Sequence, residues 1–436
     1  MKGLRRLPYT LLLVLAAPLI AVYLLWRARR QPEYRHHWGE RFLGAAEAVP
    51  GAAAASASPC IWVHAVSVGE TRAAEPLLAA LAATWPGHRL LVSHMTPTGR
   101  ATPLALPGVE RVYLPYDYPW AMRRFLRTRR PVLGILMETE VWPNLVAAAR
   151  AAGVPLVLAN ARLSARSLDR AGHWGGLVRD AVAGLAAVLA QTEADAARLT
   201  QLGARPEVTG NLKFDAGEKP GLTGRGRAWH GLWGGRPVLL CASTREGEEE
   251  ALLDGFLAVR ASLPAGTLLV LVPRHPQRFE AVARMITARG LTLARRSTWD
   301  GTTPLAPADV LLGDSMGEMP AWYAAADLAY VGGSLVPLGG QNLIEACLAG
   351  CPVLLGPHTF NFAQASVDAL AAGAARRVQD VAELFWVAGA LLADPPSLAA
   401  MAGAGQAFAR RHSGATARSL AALGRFLPPV TGPAGR

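Results

Sequence analysis

The stretch His64-Ala65-Val66-Ser67-Val68-Gly69-Glu70 follows an apolar run, Ile61-Trp62-Val63, and leads into a helix-like segment over 71–83. A strand that ends in small residues and hands a carboxylate to the mouth of a helix is how open parallel sheets build sites. Glu70 is therefore the first candidate for a catalytic base. The plainer role of a glutamate in a first helical turn is to complement the helix dipole, worth on the order of a few tenths of a kcal/mol. The rest of the chain decides between the two.

Outward from this junction, apolar runs alternate with Ala- and Leu-rich stretches of helical spacing, which predicts an α/β protein. Strands are expected at 60–65, 89–93, 112–114, 132–137, 156–159, 187–190 and 207–209. A second series is expected at 238–242, 268–272, 291–294, 310–312, 328–331 and 353–355. Its helices fall over 246–263, 278–289, 317–325, 342–348 and 362–371, with a helical tail to about 426. Residues 217–237, rich in glycine, proline and charge and without apolar periodicity, read as a linker. The expectation is two Rossmann-like domains, 31–216 and 238–426, each a doubly wound parallel sheet, facing a cleft.

Before them, residues 7–26 form an uncharged apolar segment long enough to span a bilayer. No small-residue cleavage site precedes the charged block after Trp26, so residues 1–30 read as a membrane anchor and not a removed signal. Arg5, Arg6, Arg27, Arg29, Arg30, Arg35 and Arg41 collar the segment. The heavier block on its C-terminal side predicts a cytoplasmic body. Pro18 in its middle leaves a monotopic insertion open as the alternative to a full span.

The net charge of +12 would fit a nucleic-acid binder, but its distribution does not. Beyond the collar the arginines are spread among acids, without the aromatic interleaving of a single-strand binder. An anionic membrane surface is the expected partner, and no nucleic acid. Cys60, Cys241, Cys347 and Cys351 form no CxxC pair and lie in or beside apolar runs, which predicts buried free thiols in a reducing compartment.

Polar chemistry collects where strands end. Met137-Glu138-Thr139-Glu140 closes one strand, and Gly210-Asn211-Leu212-Lys213-Phe214-Asp215 closes the first domain. Ser243-Thr244-Arg245-Glu246-Gly247-Glu248, Pro273-Arg274-His275-Pro276 and Gly313-Asp314-Ser315-Met316-Gly317-Glu318-Met319 do the same in the second. Gly332-Gly333-Ser334 and Gly339-Gly340-Gln341-Asn342 let backbone N–H groups approach a phosphate. The chain has only three lysines (Lys2, Lys213, Lys219) and five asparagines (Asn144, Asn160, Asn211, Asn342, Asn361). In so arginine-rich a sequence these mark positions where the residue type matters, as site groups or as caps and turns.

Taken together, HAVSVGE (64–70), METEVWPNL (137–145), NARLSARS (160–167), GNLKFD (210–215), VPRHPQRF (272–279), GDSMGEM (313–319), VGGSLVPLGGQN (331–342) and GPHTFNF (356–362) resemble the Kdo transferases of lipopolysaccharide synthesis. These are 3-deoxy-D-manno-octulosonic acid transferases with the GT-B glycosyltransferase fold. The resemblance runs in order over nearly the whole chain. It implies an inverting, metal-independent transfer of Kdo from CMP-Kdo to the lipid A precursor lipid IVA, without a cofactor. It further implies Glu70 as general base, Glu138 and Lys213 in transition-state stabilisation, and CMP held by Pro273, Arg274, Met316, Gly317, Glu318, Asn342, Leu343, Ile344 and Glu345. The family string Gly-Gly-His-Asn-Pro-Leu-Glu is altered here, with Gln341 for the histidine and Leu343 for the proline.

Elementary chemistry runs the same way. An anomeric carbon leaving a cytidylate passes through an oxocarbenium-like state, which asks for a base on the incoming hydroxyl and cations on the leaving phosphate. Arg274, Lys213 and amides near Gly317 and Asn342 are the candidate cations and donors. No DxD string stands at a strand end, so no catalytic metal is expected. A helix N-terminus should keep Glu70 ionised and weaken it as a base. Two other readings fit the folds: a transferase using a UDP-sugar on another membrane glycolipid, and a non-catalytic membrane-anchored nucleotide-binding protein.

Overall fold

The computed structural model describes residues 5–45, 58–173, 176–215 and 221–428. It forms two compact units, Met1–Ala216 with Ser413–Arg436, and Gly217–His412.

The first unit holds β1 (Cys60–His64), β2 (Arg89–His94), β3 (Glu110–Tyr113), β4 (Pro131–Met137), β5 (Leu156–Ala161), β6 (Ala187–Ala190) and β7 (Pro206–Val208). They line up in the order β3-β2-β1-β4-β5-β6-β7, all pairs parallel. Every residue of β1 and β5 is buried, as parallel strands covered on both faces require. Trp62 fills one face by lying over Gly134 of β4, where any Cβ would sit 2.8 Å from its ring. The strand order reverses between β1 and β4, so the crevice of this sheet lies beyond their C-terminal ends.

The second unit holds β8 (Val238–Thr244), β9 (Leu268–Pro273), β10 (Leu293–Arg295), β11 (Val310–Leu312), β12 (Leu328–Val331), β13 (Val353–Leu355) and β14 (Ala375–Arg377). Their order is β10-β11-β9-β8-β12-β13-β14, again all parallel, with the reversal between β8 and β12. The expected strands are present within a few residues, and β14 is an addition to them. The four cysteines are free and buried, as expected.

Three expectations need correction. Residues 217–237 are not a bare linker: Leu222–Leu232 is a helix of the second unit. Its glycines hide a helix held by tertiary packing, because Trp229 is fully buried among Trp233, Trp299 and Trp322, with ring centroids 4.9–6.3 Å from it. Such aromatic pairs contribute about 0.5–1.5 kcal/mol each beyond their burial. Nor does the second domain run to 426. The chain returns to the first unit at Ser413, where Asp215 Oδ1 accepts the Gly414 N–H at 2.6 Å and Ala415 and Leu423 enter the core beside Leu77, Leu78 and Leu81. Finally, Arg41 is not a surface charge. It is 1% exposed, stacked 3.7 Å from the Tyr113 ring, and donates to the Met95 carbonyl at 3.0 Å.

The apolar N-terminal segment is the helix Arg6–Arg27, long and apolar enough to cross a membrane. It also touches the first unit through polar groups. The Tyr9 hydroxyl donates to Asp117 Oδ2 at 3.0 Å, Asn144 Nδ2 donates to Thr10 Oγ1 at 3.0 Å, and Leu24 packs with Ala28 and Tyr34. Leu11, Leu15, Leu19 and Val22 stand exposed on it by 60–72%.

Candidate active site

Glu70 sits in the first turn of the helix Val68–Thr84, directly after β1. Ser67 caps that helix, its Oγ accepting the Glu70 N–H at 3.5 Å and donating back to Glu70 Oε1 at 3.3 Å. Glu70 Oε2 accepts the Val66 N–H at 2.8 Å, so the carboxylate curls over the strand end. This is a capping box shifted by one residue.

The helix terminus does not dominate its acidity. Burial pushes the Glu70 carboxyl up to about 7, and the neighbouring Glu140 and Glu138 carboxylates add to the rise. The Val66 and Ser67 hydrogen bonds offset only part of it. The expected weak, fully ionised base is thereby replaced by one poised near neutrality, where a general base works best.

Glu138 follows β4, on the other side of the same crevice. Its side chain is 6% exposed; Oε1 lies 3.0 Å from Lys213 Nζ and Oε2 2.9 Å from Arg162 Nε. Glu138 thus holds two protein cations. Lys213 is presented by a short turn, Leu212–Phe214, which Asn211 caps and Asn160 ties to β5 by accepting the Leu212 N–H at 2.9 Å. Glu138 and Asn160 both adopt left-handed backbone, φ 57° and 53°. Non-glycine residues pay for such conformations by about 1–3 kcal/mol, and they concentrate at working sites. Asn160 is marked in the sequence by the rarity of asparagine, whereas nothing local distinguishes Arg162; its signal is the pairing with Glu138, 24 residues away. Glu140 is bonded instead to the Trp142 indole at 2.7 Å.

In the second unit, Pro273 ends β9 and the exposed Arg274 follows, its N–H bonded to the Thr244 carbonyl at 2.9 Å. Met316, Gly317 and Glu318 follow β11, with Met316 57% exposed and Glu318 bound to Arg225 at 2.7 Å and Arg296 at 3.1 Å. Asn342 accepts the Ile344 N–H and donates to Glu345 Oε1, both at 3.1 Å, just before the helix Ile344–Ala349. Leu343 and Ile344 are core residues, 0% and 1% exposed, and neither is open to a ligand in this conformation. Glu248 is the residue sequence reasoning passed over. Buried to 2% exposure, it accepts the Tyr330 hydroxyl at 2.5 Å and the N–H groups of Gly333 at 2.7 Å and Arg245 at 2.9 Å. It joins the ends of β8 and β12 at the reversal. Gly332 must be glycine there, since a Cβ would lie 2.5 Å from the Ser243 carbonyl oxygen.

Asp117, which takes N–H bonds from Asn144 at 2.9 Å and Leu145 at 2.8 Å, is also pushed up to about 7 by burial. A carboxyl whose folded value lies above its unfolded one contributes less stability as pH rises, here between about 4 and 7. The buried His64 and His94, held neutral at about 3 and about 4, carry the opposite slope below 6.5. The clean expectation is therefore differential: Asp117→Asn costs less stability at pH 8 than at pH 5. Chemical denaturation midpoints at the two values check it, and an equal cost at both would contradict it.

Two parallel sheets with polar chemistry at each reversal define a double-Rossmann, nucleotide-type α/β protein of the GT-B kind. UDP-GlcNAc 2-epimerase from Neisseria meningitidis, solved with UDP-GlcNAc bound, shares this fold at a TM-score of 0.57 and 14% identity, covering 84% of this chain and 100% of that one. Residues 36–216 match the family described as 3-deoxy-D-manno-octulosonic-acid transferase (kdotransferase). A 3-deoxy-D-manno-octulosonic acid transferase of Bordetella pertussis is 50% identical over 429 residues, 96% of this chain and 99% of that one. One from Haemophilus influenzae is 38% identical over 362 residues, covering 81% and 82%. The chain belongs to the Kdo transferase family of lipopolysaccharide biosynthesis.

Proposed function

We propose that the protein transfers Kdo from CMP-Kdo to lipid IVA with inversion, at the cytoplasmic face of the inner membrane, with Glu70 as general base. The observation that carries this reading is a carboxylate at the first sheet's reversal point whose acidity is tuned to about 7. In the step, the acceptor hydroxyl oxygen bonds to the anomeric carbon as the bond from that carbon to the cytidylate oxygen breaks. Glu70 takes the hydroxyl proton, and CMP leaves with the electron pair. The cation charge of Arg274 and the main-chain N–H groups near Gly317 and Asn342 receive CMP. Lys213, held by Glu138, supports the transition state. Charge on the phosphate is met by these groups without a metal ion. The exposed apolar row of the helix Arg6–Arg27, with Arg29, Arg30 and Arg35 beyond it, supports attachment to an anionic membrane.

The test is incubation of the full-length protein with CMP-Kdo and lipid IVA in EDTA, read by mass spectrometry of the lipid and by the nucleotide released. A Kdo mass increment together with CMP is the expected result. Transfer only from a UDP-sugar overturns the donor, and rescue by magnesium overturns metal independence.

A further inference from the structure

We propose that Arg162 and Lys213 form a two-pronged receptor for one substrate oxyanion, with Glu138 as the residue that positions both. The inference rests on the transfer reading above. Glu138 spends one oxygen on each cation, Oε1 on Lys213 at 3.0 Å and Oε2 on Arg162 at 2.9 Å. A pair built only for stability needs one partner; within the triad of Glu138, Lys213 and Arg162 the second cation leaves one positive charge over, with the Glu70 and Glu140 carboxyls beside it. Burial is divided in the same sense. The carboxylate side chain is 6% exposed, while those of Lys213 and Arg162 are 31% and 57% exposed. The negative member is thus hidden and the positive ends face outward.

Arg162 binds Glu138 through Nε, and its two terminal nitrogens make no other hydrogen bond or ion pair among the described residues. That leaves a planar edge suited to two parallel bonds with a carboxylate or phosphate. The backbone is committed to this arrangement. Glu138 and Asn160 are both in left-handed conformation, the Arg162 N–H reaches the Glu138 carbonyl at 3.3 Å, and Asn160 fixes the turn that carries Lys213. The receptor also stands near Glu70, since the Glu138 carboxylate is among the groups that raise the Glu70 pKa. Three oxyanions enter the proposed reaction: the carboxylate and the cytidylate phosphate of the donor, and the phosphates of the glycolipid acceptor. The geometry suits each, and kinetics separates them.

The experiment is initial-rate kinetics of the full-length protein in detergent micelles, for wild type, Arg162→Gln, Arg162→Lys and Glu138→Gln. CMP-Kdo and acceptor are varied in turn, the acceptor being used in bisphosphorylated and dephosphorylated form. Arg162→Gln should raise one KM by about 10–100-fold, the usual scale for a lost charged hydrogen bond, with Arg162→Lys recovering part. A rise for CMP-Kdo with either acceptor assigns the anion to the donor, and weakened inhibition by free Kdo with inhibition by CMP unchanged narrows it to the sugar carboxylate. A rise confined to the phosphorylated acceptor assigns it to phosphate. Glu138→Gln should raise the same KM, and the double variant should fall short of the product of the singles. Unchanged KM values, multiplicative effects, or loss of hydrogen-exchange protection across β4 and β5 in Arg162→Gln overturn the proposal. If the wild type moves no sugar from CMP-Kdo, the transfer reading itself fails. The receptor is then judged by equilibrium binding of the bisphosphorylated glycolipid and of free Kdo, where equal affinity of wild type and Arg162→Gln for both overturns it.

Discussion

Glu70→Gln lowers the transfer rate by about 10²–10⁴-fold, the range that general-base assistance supplies, while CMP-Kdo still binds. Glutamine keeps the shape and can still accept the Val66 N–H that now meets Oε2. What it cannot do is take a proton. The pH profile makes the assignment specific: with the carboxyl at about 7, kcat/KM of the wild type falls tenfold per unit below that value and levels off above it. The residual activity of the variant should be flat through the same window. A wild-type profile level from pH 5 to 8, or a variant retaining a tenth or more of the rate, would remove Glu70 from the chemistry.

Glu248→Ala is expected to be the most damaging single change in the second unit. It strands the Tyr330 hydroxyl and the Gly333 N–H, both buried, and releases the Arg245 N–H that opens the following turn. Leaving a buried donor without an acceptor costs roughly 1–3 kcal/mol, so a total of about 3–5 kcal/mol is expected. The loss should appear as hydrogen exchange accelerated about a hundredfold or more at β8 and β12, with the first unit's strands unaffected. CMP affinity should fall as well, because the Gly332-Gly333 turn loses its brace. Exchange at β8 and β12 unchanged within a few-fold would show the carboxylate to be dispensable.

The strands were readable because parallel strands buried on both faces must be near-continuous apolar runs. Val310–Leu312, Leu328–Val331 and Val353–Leu355 appear with the bounds their pattern predicts. β14 escaped because Ala375-Arg376-Arg377 lies at a sheet edge and carries two arginines. The helix Leu222–Leu232 escaped because its stability comes from Trp229 meeting tryptophans up to 93 positions away, where propensity has no view. Arg41 was counted among surface charges because cation–π burial between tyrosines leaves no local trace. At the site, residues at strand ends were legible from position, but the double engagement of Glu138 and the tie from Glu248 to Tyr330 and Gly333 depend on partners 24 to 85 residues distant.

The return of the chain at Ser413 bears on how the molecule is made. The helix Ala415–Leu423 packs its Ala415, Ala422 and Leu423 against the helix Val68–Thr84, and Asp215 is anchored by main-chain groups of this same closing segment. On the ribosome, the first unit therefore waits for its last wall until all of the second has been translated. A fragment stopped at His412 should carry a loosened first unit even though Glu70 and every strand of both sheets are present.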